Sequence, residues 1–106
     1  MENTAIVIAD TAGAICFWSK GAQRAFGYPV ESALGRTLDL IVPEEFRASH
    51  WAGFRRAVAS GSAALEGQPG GFPVLHADGR VENVPGTLTL LRNGGGAVVG
   101  CMVVFG

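Results

Sequence analysis

The sequence predicts an α+β domain: a five-stranded antiparallel sheet with its helices gathered on one face. Three observations carry that expectation. Apolar segments of strand character stand near both ends of the chain, Ala5 to Ala9 and Ala97 to Phe105. Between them runs a stretch whose apolar residues recur at helical spacing. The junctions are marked by Gly, Pro and Asp, the residues that tight turns use. Two strands, then helices, then three strands make an antiparallel sheet covered on one side. With 106 residues, 48% hydrophobic and 16% charged, the chain is the size and composition of one packed domain spanning 1–106.

Each element has its own warrant. Ala5 to Ala9 is apolar and partly β-branched, and reads as a strand. Asp10-Thr11-Ala12-Gly13 is a turn, and Ala14 to Trp18 is the returning strand. Ser19 is placed to cap a helix running to Phe26, with Gly27 at its C-terminal stop and Pro29 beyond. Pro29 to Gly35 is a short helical turn, followed by a loop to Pro43. Pro43-Glu44-Glu45 opens a longer helix with acidic residues in its first turn, and Gly61 closes it. On a wheel of about 100° per residue, Phe46, His50, Phe54, Ala57 and Val58 share one face of that helix. Arg47, Arg55 and Arg56 fall outside it, on an expected solvated face, with binding of an anionic ligand as the competing reading. Gly71 to His76 is a strand, Asp78-Gly79 is a hairpin turn, and Arg80 to Arg92 is a long strand. Pro85 interrupts that strand, so a bulge or an unpaired stretch is expected there. Asn93 to Gly96 is a turn. Ala97 to Phe105 is apolar on both faces, as in a strand that is central or covered on its outer side.

The totals exclude several functions. Formal net charge is −1, from 8 basic and 9 acidic residues, so no field steers nucleic acid or an anionic membrane to the surface. The apolar runs are too short to span a bilayer. No charged segment followed by an apolar run opens the chain, so no signal peptide is expected. Cys16 and Cys101 share no metal-ligand spacing with His50 or His76; both are expected to be buried free thiols in a cytoplasmic protein. No nucleophile–base–acid set appears, and Gly94-Gly95-Gly96 precedes no helix, so neither catalysis nor a phosphate loop is expected.

The ordered motifs resemble the PAS family of sensory domains across nearly the whole chain. Ile6-Val7-Ile8-Ala9-Asp10 with Gly13 and Ile15 is similar to its opening strand–turn–strand signature. Phe17-Trp18-Ser19 with Ala22, Ala25, Phe26, Gly27 and Tyr28 resembles the segment that follows, with Ser19 where Asn is common. Gly35-Arg36 through Val42-Pro43-Glu44 resembles the approach to the long helix, and Asp78-Gly79 the later hairpin. The resemblance implies strand order 2-1-5-4-3. It further implies a ligand or cofactor cleft between sheet and helices, and a regulatory rather than enzymatic role. In this family the result passes to a covalently linked output domain, such as the histidine kinase of a bacterial two-component system or a cyclic-nucleotide domain. The chain is therefore expected to be part of a larger signalling protein.

The run Pro43-Glu44-Glu45-Phe46-Arg47-Ala48-Ser49-His50 is similar to that of the FixL-type oxygen-sensing haem domains. That resemblance implies haem b, with His50 as the iron ligand. The expected cofactor-binding set is His50, Phe46, Phe54, Val74, Leu88, Leu90 and Met102. One departure matters. The third-strand Arg that bonds oxygen in those domains falls, by gapless spacing, on Gly70. The competing reading of His50 is a packed histidine bonded to a loop carbonyl. His76, beside the hairpin, is expected to face solvent, and Trp51 to edge the core. Light-sensing relatives need a reactive Cys in the helical region, which is missing. The apolar outer side of the sheet implies a homodimer through that face. Two functions stay open: a small-ligand or cofactor sensor, and a ligand-free dimerisation and relay scaffold.

Overall fold

The computed structural model describes residues 3–106. Five strands and three α-helices follow in chain order: β1 (Ala5–Asp10), β2 (Ile15–Trp18), α1 (Lys20–Phe26), α2 (Val30–Ala33), α3 (Arg47–Ser60), β3 (Pro69–Leu75), β4 (Val81–Arg92) and β5 (Val98–Phe105). The strands form one antiparallel sheet in the order β2-β1-β5-β4-β3. The first and last strands thus pair in the middle of the sheet, and both are largely apolar.

Local chemistry sets the first half. The Asp10 carboxylate accepts from the backbone N–H groups of Ala12 and Ala14 at 2.9 and 3.0 Å, which closes the β1–β2 turn. Ser19 makes three bonds at once. Its Oγ accepts from Ala22 N, capping α1, accepts from Ile6 N, and donates to the Thr4 carbonyl. A single hydroxyl therefore ties the start of α1 to β1. Gly27, at φ +90°, ends the helix in the left-handed conformation.

Period-two alternation then sorts the sheet into faces. Ala5, Val7 and Ala9 of β1 turn inward and are buried, whereas Ile6 and Ile8 turn outward. The core runs from α1 along the inner sheet face to Val74, Leu90 and Cys101. Phe26 packs against Trp18, Phe105 and His76 with ring centroids 6.0, 5.0 and 5.6 Å away.

Several expectations need correction. Pro85 makes no bulge; it stands opposite Gly71 in an unbroken register with β3, while the expected unpaired stretch is present on its other edge, where pairing with β5 stops at Gly86. Its carbonyl accepts from Gly106 N at 2.7 Å. Its nitrogen points to the same side, past the end of β5, where a missing donor forfeits only a terminal ladder bond. The irregular steps lie instead at Ile8/Ala9 and Leu91/Arg92. Cys16 is the extra residue of the first one. The bulge turns it outward, so it is exposed rather than buried. His76 is buried, at 5% exposure, not solvent-facing. The hairpin folds back on α1, with Ala77 N donating to Phe26 O, and Glu82 Oε1 lies 3.0 Å from His76 Nε2. Finally, Glu44–Phe46 is a 3-10 turn, so α3 begins at Arg47 rather than at Pro43.

Candidate functional site

α3 is held at its two ends. At the first, the Arg47 guanidinium donates to the carbonyls of Val42 and Asp39 at 3.0 and 3.1 Å. One turn on, Trp51 Nε1 donates to Asp39 Oδ1 at 2.7 Å. The Trp51 ring lies directly on Gly13, where a Cβ would occupy the ring's own space. At the second end, Gly61 takes φ +77° and stops the helix. Arg92 donates to Gly61 O at 2.9 Å and pairs with Glu66 at 2.8 Å. Glu66 also accepts from Leu90 N, so the loop after α3 saturates the part of β4 that β3 does not reach.

Between these anchors no residue of α3 is buried. The helix spans a cavity of about 680 Å³. Val7, Ala9, Val74, Leu88, Leu90 and Cys101 form its floor on the sheet. His50, Gly53, Phe54 and Ala57 of α3 form its roof, and Ala63 to Leu65 its rim. The polar wall residues are Ser49, His50, Arg56, Ser60 and Ser62.

Five of the residues singled out from sequence meet here: His50, Phe54, Val74, Leu88 and Leu90. Two do not. Phe46 is outside the cavity and 43% exposed, because the helical phase does not run through a 3-10 turn. Met102 is on the other side of the sheet. Its β5 neighbours Cys101 and Val103 line the cavity, so alternation sends Met102 outward, opposite Ile8. Sequence reasoning missed Gly53, and it preferred a solvated face to an anion-binding role for Arg56. Ser49, Gly53, Arg56 and Ser60 fall at spacings of four, three and four, which is itself a one-face pattern. Gly70, the position of the oxygen-bonding Arg in the FixL-type pattern, stands opposite Gly86 and does not line the cavity.

His50 is the most unusual group of the wall. Its Nδ1 is buried with no hydrogen-bond partner among the described residues. The loop-carbonyl bond of a packed histidine is therefore not made at Nδ1. The ring lies edge-on to Trp51 at 4.8 Å and near Phe54 at 6.0 Å. Burial pulls its pKa below the usual 6.5, and the Asp39 carboxylate opposes this in part. The imidazole is thus neutral near pH 7. Cys101 is also held uncharged, its pKa pushed up to about 11 chiefly by burial. Among the described residues, no group of three or more His, Cys, Asp or Glu side chains could hold a metal ion. None of the described helices is long and apolar enough to cross a membrane.

Comparison with known proteins agrees with this architecture. An uncharacterized protein of Azorhizobium caulinodans is 33% identical over 92 residues, which is 86% of this chain. The match spans 12% of that protein's length. The PAS domain of a protein from Colwellia psychrerythraea superimposes with TM-score 0.81 at 22% identity, covering 98% of this chain and 85% of that one. The PAS domain of the Cronobacter turicensis RpfR quorum-sensing receptor, solved in complex with C12:0, gives TM-score 0.76 at 12% identity. That match covers 99% of this chain and 93% of the other. The family model of the PAS fold matches residues 2–105. The chain belongs to the PAS family, whose members are regulatory, signal-sensing domains.

Proposed function

We propose that this domain senses a small, largely apolar molecule held between α3 and the sheet, and relays its presence to an output domain elsewhere in a longer protein. The observation that carries this is the cavity of about 680 Å³ beneath a helix with no buried residue. That is the size of a site for a drug-sized ligand. A ligand-free relay scaffold would be expected to fill such a volume with its own side chains, because interiors pack densely. The C12:0 bound by the Cronobacter domain supports an apolar occupant. A homodimer through the outer sheet face, where Ile6, Ile8, Phe17, Met102 and Val104 stand, is the expected route of relay. Native mass spectrometry and thermal scanning test the sensing role. A ligand at about a hundred times its Kd adds about 2.7 kcal/mol. If no small molecule co-purifies and none of a broad library raises Tm, the sensing role fails.

A second reading, haem b, rests on the unpartnered Nδ1 of His50. The donor chemistry fits: a neutral imidazole at an apolar wall. His50 would hold the iron, with Phe54, Val74, Leu88 and Leu90 against the ring. Haem would supply a gas- or redox-responsive iron. With glycine at Gly70, β3 contributes no donor to a bound gas, so oxygen discrimination would differ from the FixL type. A Soret band on haem addition that vanishes in His50→Ala supports this reading. Absence of any band removes haem and leaves the apolar-ligand reading in place.

A further inference from the structure

The cavity has a polarity that an apolar ligand alone does not explain, because one charged side chain, Arg56, stands in its wall. We propose that Arg56 makes the cavity selective for an apolar molecule bearing one carboxylate, with the acid at the mouth and the apolar body beneath α3. This rests on the cavity reading above and names its ligand class.

The arginines that anchor the two ends of α3 are committed, and Arg55 does not line the cavity. Arg47 bonds Val42 and Asp39, and Arg92 bonds Glu66 and Gly61. Arg56 has no hydrogen bond or ion pair to any other described residue. The nearby carboxylates are turned to other tasks: Asp39 holds Trp51, and Glu66 holds Arg92 and Leu90 N. Among the described residues no Asp or Glu lines the cavity, so none of them neutralises or repels an incoming anion. The floor cannot host a charge, because it offers apolar side chains and no donors. A ligand's charge is therefore directed to the polar wall, where Ser49 and His50 offer only neutral groups and exposed Arg56 supplies a positive charge. The guanidinium fork matches the two oxygens of a carboxylate. A phosphate dianion suits the place less well. The mouth lies at the C-terminal turns of α3, where the helix dipole is negative, and one guanidinium cannot balance two charges. Leu65, 65% exposed on the rim, extends the apolar surface to the entrance.

The test compares decanoate, 1-decanol and decyl phosphate by calorimetry on the full chain at low salt. Decanoate is expected to bind at least about tenfold tighter than 1-decanol, the scale of one charged hydrogen-bonded contact. It should also bind tighter than decyl phosphate. Arg56→Gln should remove the preference for decanoate and leave 1-decanol unchanged. Equal affinities for acid and alcohol, or an equal loss of both in Arg56→Gln, would overturn the inference. So would a preference for decyl phosphate. The neutral dye Nile red separates this failure from failure of the cavity reading. If Nile red binds, and Gly53→Leu abolishes its binding, but decanoate does not bind, Arg56 selectivity falls alone. If neither the dye nor any of the three probes binds, both readings fall.

Discussion

α1 and α3 rest on the same face of the same sheet with opposite results. α1 has seven residues and buries Gly21, Ala22 and Phe26. α3 has fourteen and buries none. The first packs on β1 and on the aromatic cluster around Phe26. The second is pinned at its ends by Asp39 and Arg92 and bridges a void. One end of the sheet is thus built for stability. The other keeps a cavity between α3 and a floor whose residues, such as Val74 and Leu90, are themselves buried, which is the arrangement a ligand can complete.

The largest effect expected from this contrast is on two phenylalanines. Phe26→Ala should cost about 3–5 kcal/mol, because a fully packed aromatic leaves a hole its neighbours cannot fill. Phe54→Ala, at the edge of an existing cavity, should cost less than half as much. Urea denaturation of both variants checks this, and equal losses would show that α3 contributes to the core after all.

A pair of helical glycines sharpens the contrast by sign. A Cβ on Gly21 would fall on the Thr4 carbonyl, which is backbone and cannot step aside. Gly21→Ala should therefore destabilise by about 1–3 kcal/mol, as overpacking does. A Cβ on Gly53 meets nothing within 4 Å. There the ordinary helix preference of Ala over Gly should prevail and stabilise by up to about 1 kcal/mol. Thermal unfolding of the two variants should shift Tm in opposite directions.

The anchoring of α3 is the next test. Trp51→Phe keeps a ring over Gly13 but removes the donor to Asp39. Because Asp39 is partly exposed, the loss should be about 1 kcal/mol. Hydrogen exchange in α3 should rise in this variant while α1 stays protected.

These contrasts also show what the sequence could carry. The capping role of Ser19 and the stops at Gly27 and Gly61 were legible because each follows from local chemistry, whereas the strand order came from the family resemblance and not from periodicity. His50, Phe54, Val74, Leu88 and Leu90 were legible as one surface because helix and strand periods point side chains reliably. Phe46 was not, since a short 3-10 turn shifts the phase, and Met102 was placed on the wrong face of an all-apolar strand that offers no polar alternation to read. His76 beside an Asp-Gly turn has the local look of a surface residue; only the tertiary return of the hairpin onto Phe26 buries it. For Arg56 a solvated face was preferred over an anionic ligand because charge is read as surface, and a charge at a cavity mouth has the same local pattern.

The smallest expected effect is a pH dependence localised to α3. In the folded chain the pKa of His50 lies below 6.5, mainly through burial. The unfolded chain therefore binds the proton at higher pH than the folded one. Stability from this group is complete above the unfolded value. It declines as pH falls through about 6.5 towards the lowered folded value. The slope cannot exceed about 1.4 kcal/mol per pH unit for one proton, and the Asp39 charge reduces it. Urea midpoints measured from about pH 7.5 to 5 should fall less steeply in His50→Gln than in the parent chain. An occupant in contact with the imidazole would lower the His50 pKa further if it is apolar and raise it if it brings negative charge close. The same titration repeated with decanoate thus reports where its acid group sits. A His50 pKa unchanged or lowered by decanoate keeps the carboxylate at Arg56, whereas a raised one draws it inward to the roof of the cavity.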